Sequence, residues 1–305
     1  MALYQQTIAE KVSCTGVGLH SGAPAQLTLF PARADSGIVF VRTDLAPPVE
    51  IPARSSEVSS TALATTVGRN AVSVGTVEHL LAALYGLGID NVRVEIDGPE
   101  LPVMDGSSAA FVYLIRSAGI FTQRALRNVL RVQRWLEVVD GDRHISIEPS
   151  RDFRISYAVE FEHPAIQRQE FHMDPVDADR FEHDVSAART FGFLNDVSGL
   201  WGAGFARGGS LENTVVLDDE KVLNPDGLRW EDEFVRHKVL DLFGDLALVG
   251  MPIQGHVRVE RGGHSLHQKL VAAILANPHA WDVVEADKRG ARGIRLFQAA
   301  AAARF

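Results

Sequence analysis

FVRHKVLDLFGDL, residues 234–246, reads as one helix with two unlike faces. Val235, Val239, Leu242, Phe243 and Leu246 recur at helical spacing and form an apolar side that belongs in a core. His237, Asp241 and Asp245, each four residues after the last, stand in single file on the other side. Two readings fit that file. The ordinary one is a solvated polar face with a weak His/Asp pair. The other is part of a metal centre, because an imidazole and a carboxylate at i and i+4 can grip one ion. The rest of the chain has to decide between them.

At 305 residues the chain is long enough for two ordinary domains, and 46% hydrophobic with 23% charged residues is a soluble globular profile. A net charge of −9 argues against a nucleic-acid surface, which needs clustered Lys and Arg. A local basic pocket for one phosphate-bearing ligand stays possible. Cys14 is the single cysteine, so an internal disulfide and a thiolate metal cage are both excluded, as suits a reducing compartment. The opening MALYQQTIAEKVSCTGVGLHSG has no apolar signal region, and no run approaches 18 apolar residues. A cytoplasmic location with no transmembrane segment is expected.

The pattern of elements plays twice. AQLTLF (25–30) and GIVFVRT (37–43) read as strands. VSVGTVEHLLAALYGLGI (72–89) reads as a strand, then a helix with Thr76 as N-cap and Gly86 or Gly88 as stop. NVRVEIDG (91–98) is a strand and SSAAFVYLIRSAG (107–119) a helix. FTQRALRN (121–128) reads as a break. In the second series, 129–149 reads as a hairpin turning at Asp140-Gly141, 153–162 as a strand and 178–189 as a helix. The helix quoted above, a strand and loop at 255–265 and a helix at 267–277 complete it. Each half thus offers strands plus two helices, an α+β class. Identity between the halves is too weak to read as a repeat, and Ala299 to Ala303 read as a low-complexity tail.

Of eleven histidines, three have neighbours that suggest chemistry. Glu78-His79 supplies a base and a ligand in adjacent residues, diverging by about 100° around a helix so that both can flank one ion. His237 and Asp241, at i and i+4 on one helix, have the spacing that lets two side chains grip one metal, and Asp245, a turn further on, could orient another imidazole. His264, after Gly262 and Gly263, reads as a movable loop tip that could act as a general acid if paired with a carboxylate.

Seven ordered segments carry a resemblance: TGVGLHSG (15–22), TVEHLLAALYGLGIDN (76–91), PVMDGSSAAFV (102–112), FEHPAI (161–166), ARTFGF (188–193), VLNPDGLRWEDEFVRHKVLDLFGDL (222–246) and GGHSLHQKL (262–270). On these the chain resembles the UDP-3-O-acyl-N-acetylglucosamine deacetylases, zinc amidases of lipid A biosynthesis in Gram-negative bacteria. The resemblance implies two similar domains, each a two-layer sandwich with a small insert, and helices packed between the sheets. Their limits would be 1–126 and 127–280, with a β-α-β insert near 193–216 and a tail at 281–305. It implies one catalytic Zn²⁺ on His79, His237 and Asp241, with Glu78 as general base, His264 as general acid backed by Asp245, and Thr190 on the oxyanion. Lys238, Arg143 and Arg261 would meet the sugar or its diphosphate, Phe161 the uracil, and Ser210 and Phe191 would add contacts nearby. Leu19, Leu194, Val197, Leu200, Trp201, Ala206 and Val216 would line a tunnel for the acyl chain. A UDP-linked acylated glucosamine would be the substrate and a monomer the working form.

The chain departs from the family's pattern at His267 and Gln268, where two asparagines are expected, at Glu162 for an expected Asn, and at the bulky Trp201. None of these is a metal ligand. A zinc hydrolase of another amide, and a silent zinc or nucleotide-sugar binder, are the alternatives. Retention of Glu78 and His264 argues against the silent binder, which needs neither a base nor an acid.

Overall fold

A computed structural model of the chain describes residues 2–286, so the alanine run 299–303 lies outside the described residues. The first half begins with β1 (Tyr4–Ile8), β2 (Val12–Val17), β3 (Pro24–Pro31), β4 (Ile38–Arg42) and β5 (Val49–Pro52). Three short strands follow, β6 (Val58–Ser60), β7 (Thr66–Arg69) and β8 (Val72–Val74), then α1 (Glu78–Leu87), β9 (Val92–Ile96), α2 (Ala109–Ala118) and β10 (Ile120–Leu126). The second half opens with β11 (Asn128–Val132), β12 (Leu136–Asp140), β13 (Arg143–Glu148), β14 (Arg154–Phe161) and β15 (Gln167–Met173). After α3 (Ala178–Arg180) and a wide turn over Phe181–Val185 come β16 (Phe191–Phe193), α4 (Leu194–Gly202) and β17 (Val215–Leu217). The chain closes with α5 (Glu233–Ala247), β18 (Ile253–Gln254), β19 (His256–Glu260), α6 (His264–Ala276) and β20 (Trp281–Glu285).

The two halves share one plan. Their main sheets run β2-β3-β9-β4-β5 and β12-β13-β19-β14-β15. In each, a single neighbouring pair is parallel, β4 with β9 (Phe40↔Val94) and β14 with β19 (Tyr157↔Val259). β1 pairs antiparallel with β10, and β11 does the same with β20. A duplicated topology is therefore present where sequence identity hid it. A sheet needs only alternation toward the core, and Ala25, Leu27 and Leu29 of β3 satisfy that as well as Ile145 and Ile147 of β13.

Several expectations are corrected. Residues 121–126 continue β10 rather than break the chain, and Trp281–Glu285 is β20, so the structured part runs past the expected tail boundary. The hairpin holds for β12 and β13, with Gly141 at φ 66° in its turn, but β11 joins β18 and β20 instead. β15 went unread because QRQEFHM is an edge strand with only Phe171 and Met173 buried, leaving little alternation to detect. Thr76 does not cap α1. Its hydroxyl donates to Glu100 Oε1 at 2.9 Å, and Val77 precedes the helix without a side-chain cap. Gly88, left-handed at φ 75°, ends α1.

The helices pack between the two main sheets, where α1 and α5 lie side by side. α5 rests on β14 and β15, α6 on β12 and β13, and α2 on β2. α1 is buried all round except at Tyr85, as expected of a helix enclosed by others. β16 and β17 pair in parallel across α4, a β-α-β unit beside the second sheet. Among the described residues no helix is long and apolar enough to cross a membrane.

Candidate active site

The file of polar residues on α5 is not solvated. His237, Asp241 and Asp245 are 2%, 1% and 0% exposed, which excludes the surface-face reading. They face the start of α1, and the closeness of the two helices depends on Gly244. A Cβ there would fall 2.2 Å from the Glu78 carbonyl oxygen, so only glycine lets the α5 backbone lie against the first turn of α1. Burying three ionisable groups side by side is costly unless they are paired or bind an ion.

His79, His237 and Asp241 each direct one ligand atom to a common point, all within 4.8 Å of one another. Asp241 Oδ1 lies 3.3 Å from His237 Nε2 and 3.9 Å from His79 Nε2. That oxygen is buried with no hydrogen-bond donor. His237 Nδ1 donates to the Ala188 carbonyl at 3.0 Å, which leaves Nε2 its lone pair. Burial lowers the pKa of His237, and burial together with His237 lowers His79 to about 3, so both rings are neutral. Burial opposes charge on Asp241, but the cationic groups beside it, Lys238 at 2.8 Å and His264, hold its carboxyl well below the usual range. Two neutral imidazoles gathered around the unsatisfied oxygen of an ionised carboxylate fit a divalent cation such as zinc.

Glu78 and His264 flank that point. Glu78 Oε2 accepts from the Thr65 backbone N–H at 3.0 Å, and Oε1 lies 3.7 Å from His264 Nε2. Burial raises the Glu78 pKa to about 7. His264 is not a movable tip: it opens α6, and its Nδ1 donates to Asp245 Oδ2 at 2.9 Å. Burial alone would lower the pKa of His264, but Asp245 and Asp241 outweigh it and push it up to about 9. Asp245, His264 and His267 form a second group within coordinating reach, yet Asp245 Oδ2 already accepts from both imidazoles.

A family model for UDP-3-O-acyl N-acetylglycosamine deacetylase matches residues 5–276. A protein of Myxococcus xanthus named UDP-3-O-acyl-N-acetylglucosamine deacetylase is 54% identical over 292 residues, covering 96% of this chain and 93% of its own. Proteins of the same name from Anaeromyxobacter sp. (strain Fw109-5) and Shewanella loihica are 52% and 48% identical, over 92% and 94% of this chain and 91% and 94% of their own. The chain belongs to the UDP-3-O-acyl-N-acetylglucosamine deacetylase family.

The other residues expected from the deacetylase resemblance fall into three places. Thr190 lies two residues beyond Ala188, the carbonyl that fixes His237, with its N–H donating to Gly106 O at 2.8 Å. Lys238 Nζ is held by Asp241 Oδ2 at 2.8 Å and lies 5.4 Å from the Phe191 ring centroid. At one end of the second sheet, the register His144↔Glu260 puts Arg143 and Arg261 together. Arg261 is ion-paired to Asp142 and, at 2.6 Å, to Glu160. Phe161 ends β14 there, packs edge-on to Phe191 at 5.8 Å, and with Glu162, His163 and Phe193 borders a cavity of ≈ 310 Å³. Ser210 is exposed, in a turn where its N–H donates to Asn213 Oδ1.

The expected channel residues lie on and around α4. Val197 and Leu200 are half-buried, Leu194 and Trp201 exposed, and the Trp201 indole N–H donates to Ala206 O at 3.0 Å. Val216 sits in mid-β17 opposite Gly192. Leu19 O accepts from Gly208 N at 3.0 Å, so the first half grips the loop after α4. Thr65 is a site residue that sequence reasoning missed: its hydroxyl donates to Asp245 Oδ1 at 2.6 Å. In a Ser/Thr-rich stretch it carries no distinguishing signal. His267 as a partner of Asp245, and Tyr157 as the partner of His267 in turn, were missed as well, although His267 stood out as a departure from the family.

Proposed function

We propose that this chain is a zinc-dependent amide hydrolase that removes the N-acetyl group of UDP-3-O-(3-hydroxyacyl)-N-acetylglucosamine. The observation that carries the reading is a buried ligand triad, His79, His237 and Asp241, lying directly beside a base and an acid, Glu78 and His264. Zinc held by the triad would supply Lewis-acid chemistry, polarising the acetamide carbonyl and acidifying water. Glu78 takes the proton of the attacking water. Thr190 donates its hydroxyl to the developing oxyanion, and His264, charged and backed by Asp245, gives its proton to the departing amine. The products are acetate and a free glucosamine amine.

Lys238, Arg143 and Arg261 are assigned to the sugar and diphosphate, Phe161 to the uracil face, and Phe191 and Ser210 to neighbouring contacts. The α4 unit, with Leu19, Leu194, Val197, Leu200, Trp201, Ala206 and Val216, is assigned to the acyl chain. In this reading the enzyme works as a cytoplasmic monomer in lipid A biosynthesis of a Gram-negative bacterium, with domains near 1–126 and 127–285. The test is acetate release from that substrate before chelation, after chelation, and after about one equivalent of Zn²⁺ is restored. Activity that disappears and returns is expected. No release from protein shown to contain zinc would overturn the substrate assignment.

A further inference from the structure

Asp245 is shared between two imidazoles. Its Oδ2 lies 2.9 Å from His264 Nδ1 and 2.8 Å from His267 Nδ1. On its far side, His267 Nε2 lies 2.9 Å from the Tyr157 hydroxyl. An ionised carboxylate only accepts, so His267 Nδ1 carries a proton. Burial lowers the pKa of His267, so the ring is neutral and Nε2 must accept from Tyr157 O–H. Burial likewise holds the Tyr157 phenol well above its usual pKa, which keeps that proton in place. The series Tyr157→His267→Asp245 therefore has one direction only. His267 and Tyr157 are 0% and 1% exposed, and their polar atoms find their partners within the protein. Room for the contact comes from Gly262, where a Cβ would fall 2.4 Å from the Tyr157 hydroxyl and 3.1 Å from His267 Nε2.

We infer that His267 is a positioning residue for His264: Tyr157 fixes its Nδ1–H tautomer, and that N–H holds the Asp245 carboxylate in the plane that aims His264 Nε2 toward Glu78. The inference rests on the reading of His264 as proton donor given above. A carboxylate tied to a single imidazole can swing about its Cβ–Cγ bond. Donors on both oxygens, Thr65 on Oδ1 and His267 on Oδ2, remove that freedom. If Tyr157 stopped donating, the other tautomer of His267 would turn a lone pair on Asp245 and repel it.

Steady-state kinetics on the zinc-loaded full chain test this. His267→Leu is expected to lower kcat about 10- to 100-fold with KM and zinc content unchanged, the size seen when such outer partners are removed. His267→Asn, which keeps an N–H donor, is expected to recover most of the loss. Tyr157→Phe should lower kcat in the native background and have little effect beside His267→Asn, which has no tautomer to fix. Equal losses from Tyr157→Phe in both backgrounds, or native kcat in His267→Leu, would overturn the inference. Histidine ¹⁵N resonances of the metal-loaded protein, assigned by the signal lost in His267→Asn, give a readout independent of substrate. A protonated Nδ1 and bare Nε2 on His267 are expected, and the reverse tautomer would overturn the proposal whatever the substrate. The expected tautomer in a chain that releases no acetate would support the hydrogen-bond assignment and overturn the deacetylase reading alone.

Discussion

Glu78 and His264 lie 3.7 Å apart, and their surroundings raise both pKa values, toward a neutral carboxyl in one and a charged imidazole in the other. Burial lifts the Glu78 pKa to about 7, whereas the carboxylates around His264 outweigh burial and lift it to about 9. A base must be ionised and an acid protonated, so kcat/KM should rise as Glu78 loses its proton and fall as His264 loses its own. A bell-shaped profile is expected, its basic limb near pH 9 and its acidic limb at or below 7, since a bound cation favours the carboxylate. Glu78→Gln should lower kcat by about 10²- to 10⁴-fold with zinc content unchanged, and His264→Gln should remove the basic limb. A basic limb that persists in His264→Gln would sink the assignment of the acid. At this scale the sequence was legible where chemistry sits in neighbouring letters, as in Glu78-His79 or His237 and Asp241. It was not legible at Thr65 or Tyr157, whose partners lie 180 and 110 residues away.

Among the elements, the pairing of α1 with α5 decides the site, and Gly244 decides the pairing. Glycine inside a helix costs about 1 kcal/mol relative to alanine, so in isolation Gly244→Ala should strengthen α5. Here its methyl group would meet the Glu78 carbonyl at 2.2 Å, and the helices must part. The variant is expected to lose about 1–3 kcal/mol of stability and most of its bound zinc, read by urea unfolding and metal analysis. Full zinc occupancy would show that the spacing is not set there. On α4, Leu200→Trp should reduce turnover of a long-acyl substrate while sparing a deacyl analogue; equal loss on both would reject the channel assignment.

Across the whole molecule, the proposed ligand triad draws on two copies of one topology. His79 comes from α1 of the first half, and His237 and Asp241 from α5 of the second, the helix that occupies the equivalent place before β19. An ion bound there ties the halves together and stabilises only the folded chain. Chelation is therefore expected to lower the melting temperature by several degrees, as removal of a ligand present at about 1,000 times its Kd withdraws about 4 kcal/mol. A melting temperature indifferent to chelator and to added zinc would contradict an ion bridging the halves.

The sequence alone settled what is local or periodic. The apolar faces set the α+β class, the i, i+4 spacing set the His237/Asp241 pair, and seven ordered segments pointed to the family. Periodicity left open whether the polar file on α5 faced solvent, because it records which residues share a side and not what covers that side; the metal-site reading came from the resemblance. The tertiary structure decided that the file is buried against α1, that His264 stands fixed at the head of α6 rather than on a movable loop, and that Thr65, His267 and Tyr157 complete the surroundings of Asp245. Each of these depends on contacts between residues far apart in the chain, and a linear pattern does not encode which distant surfaces meet.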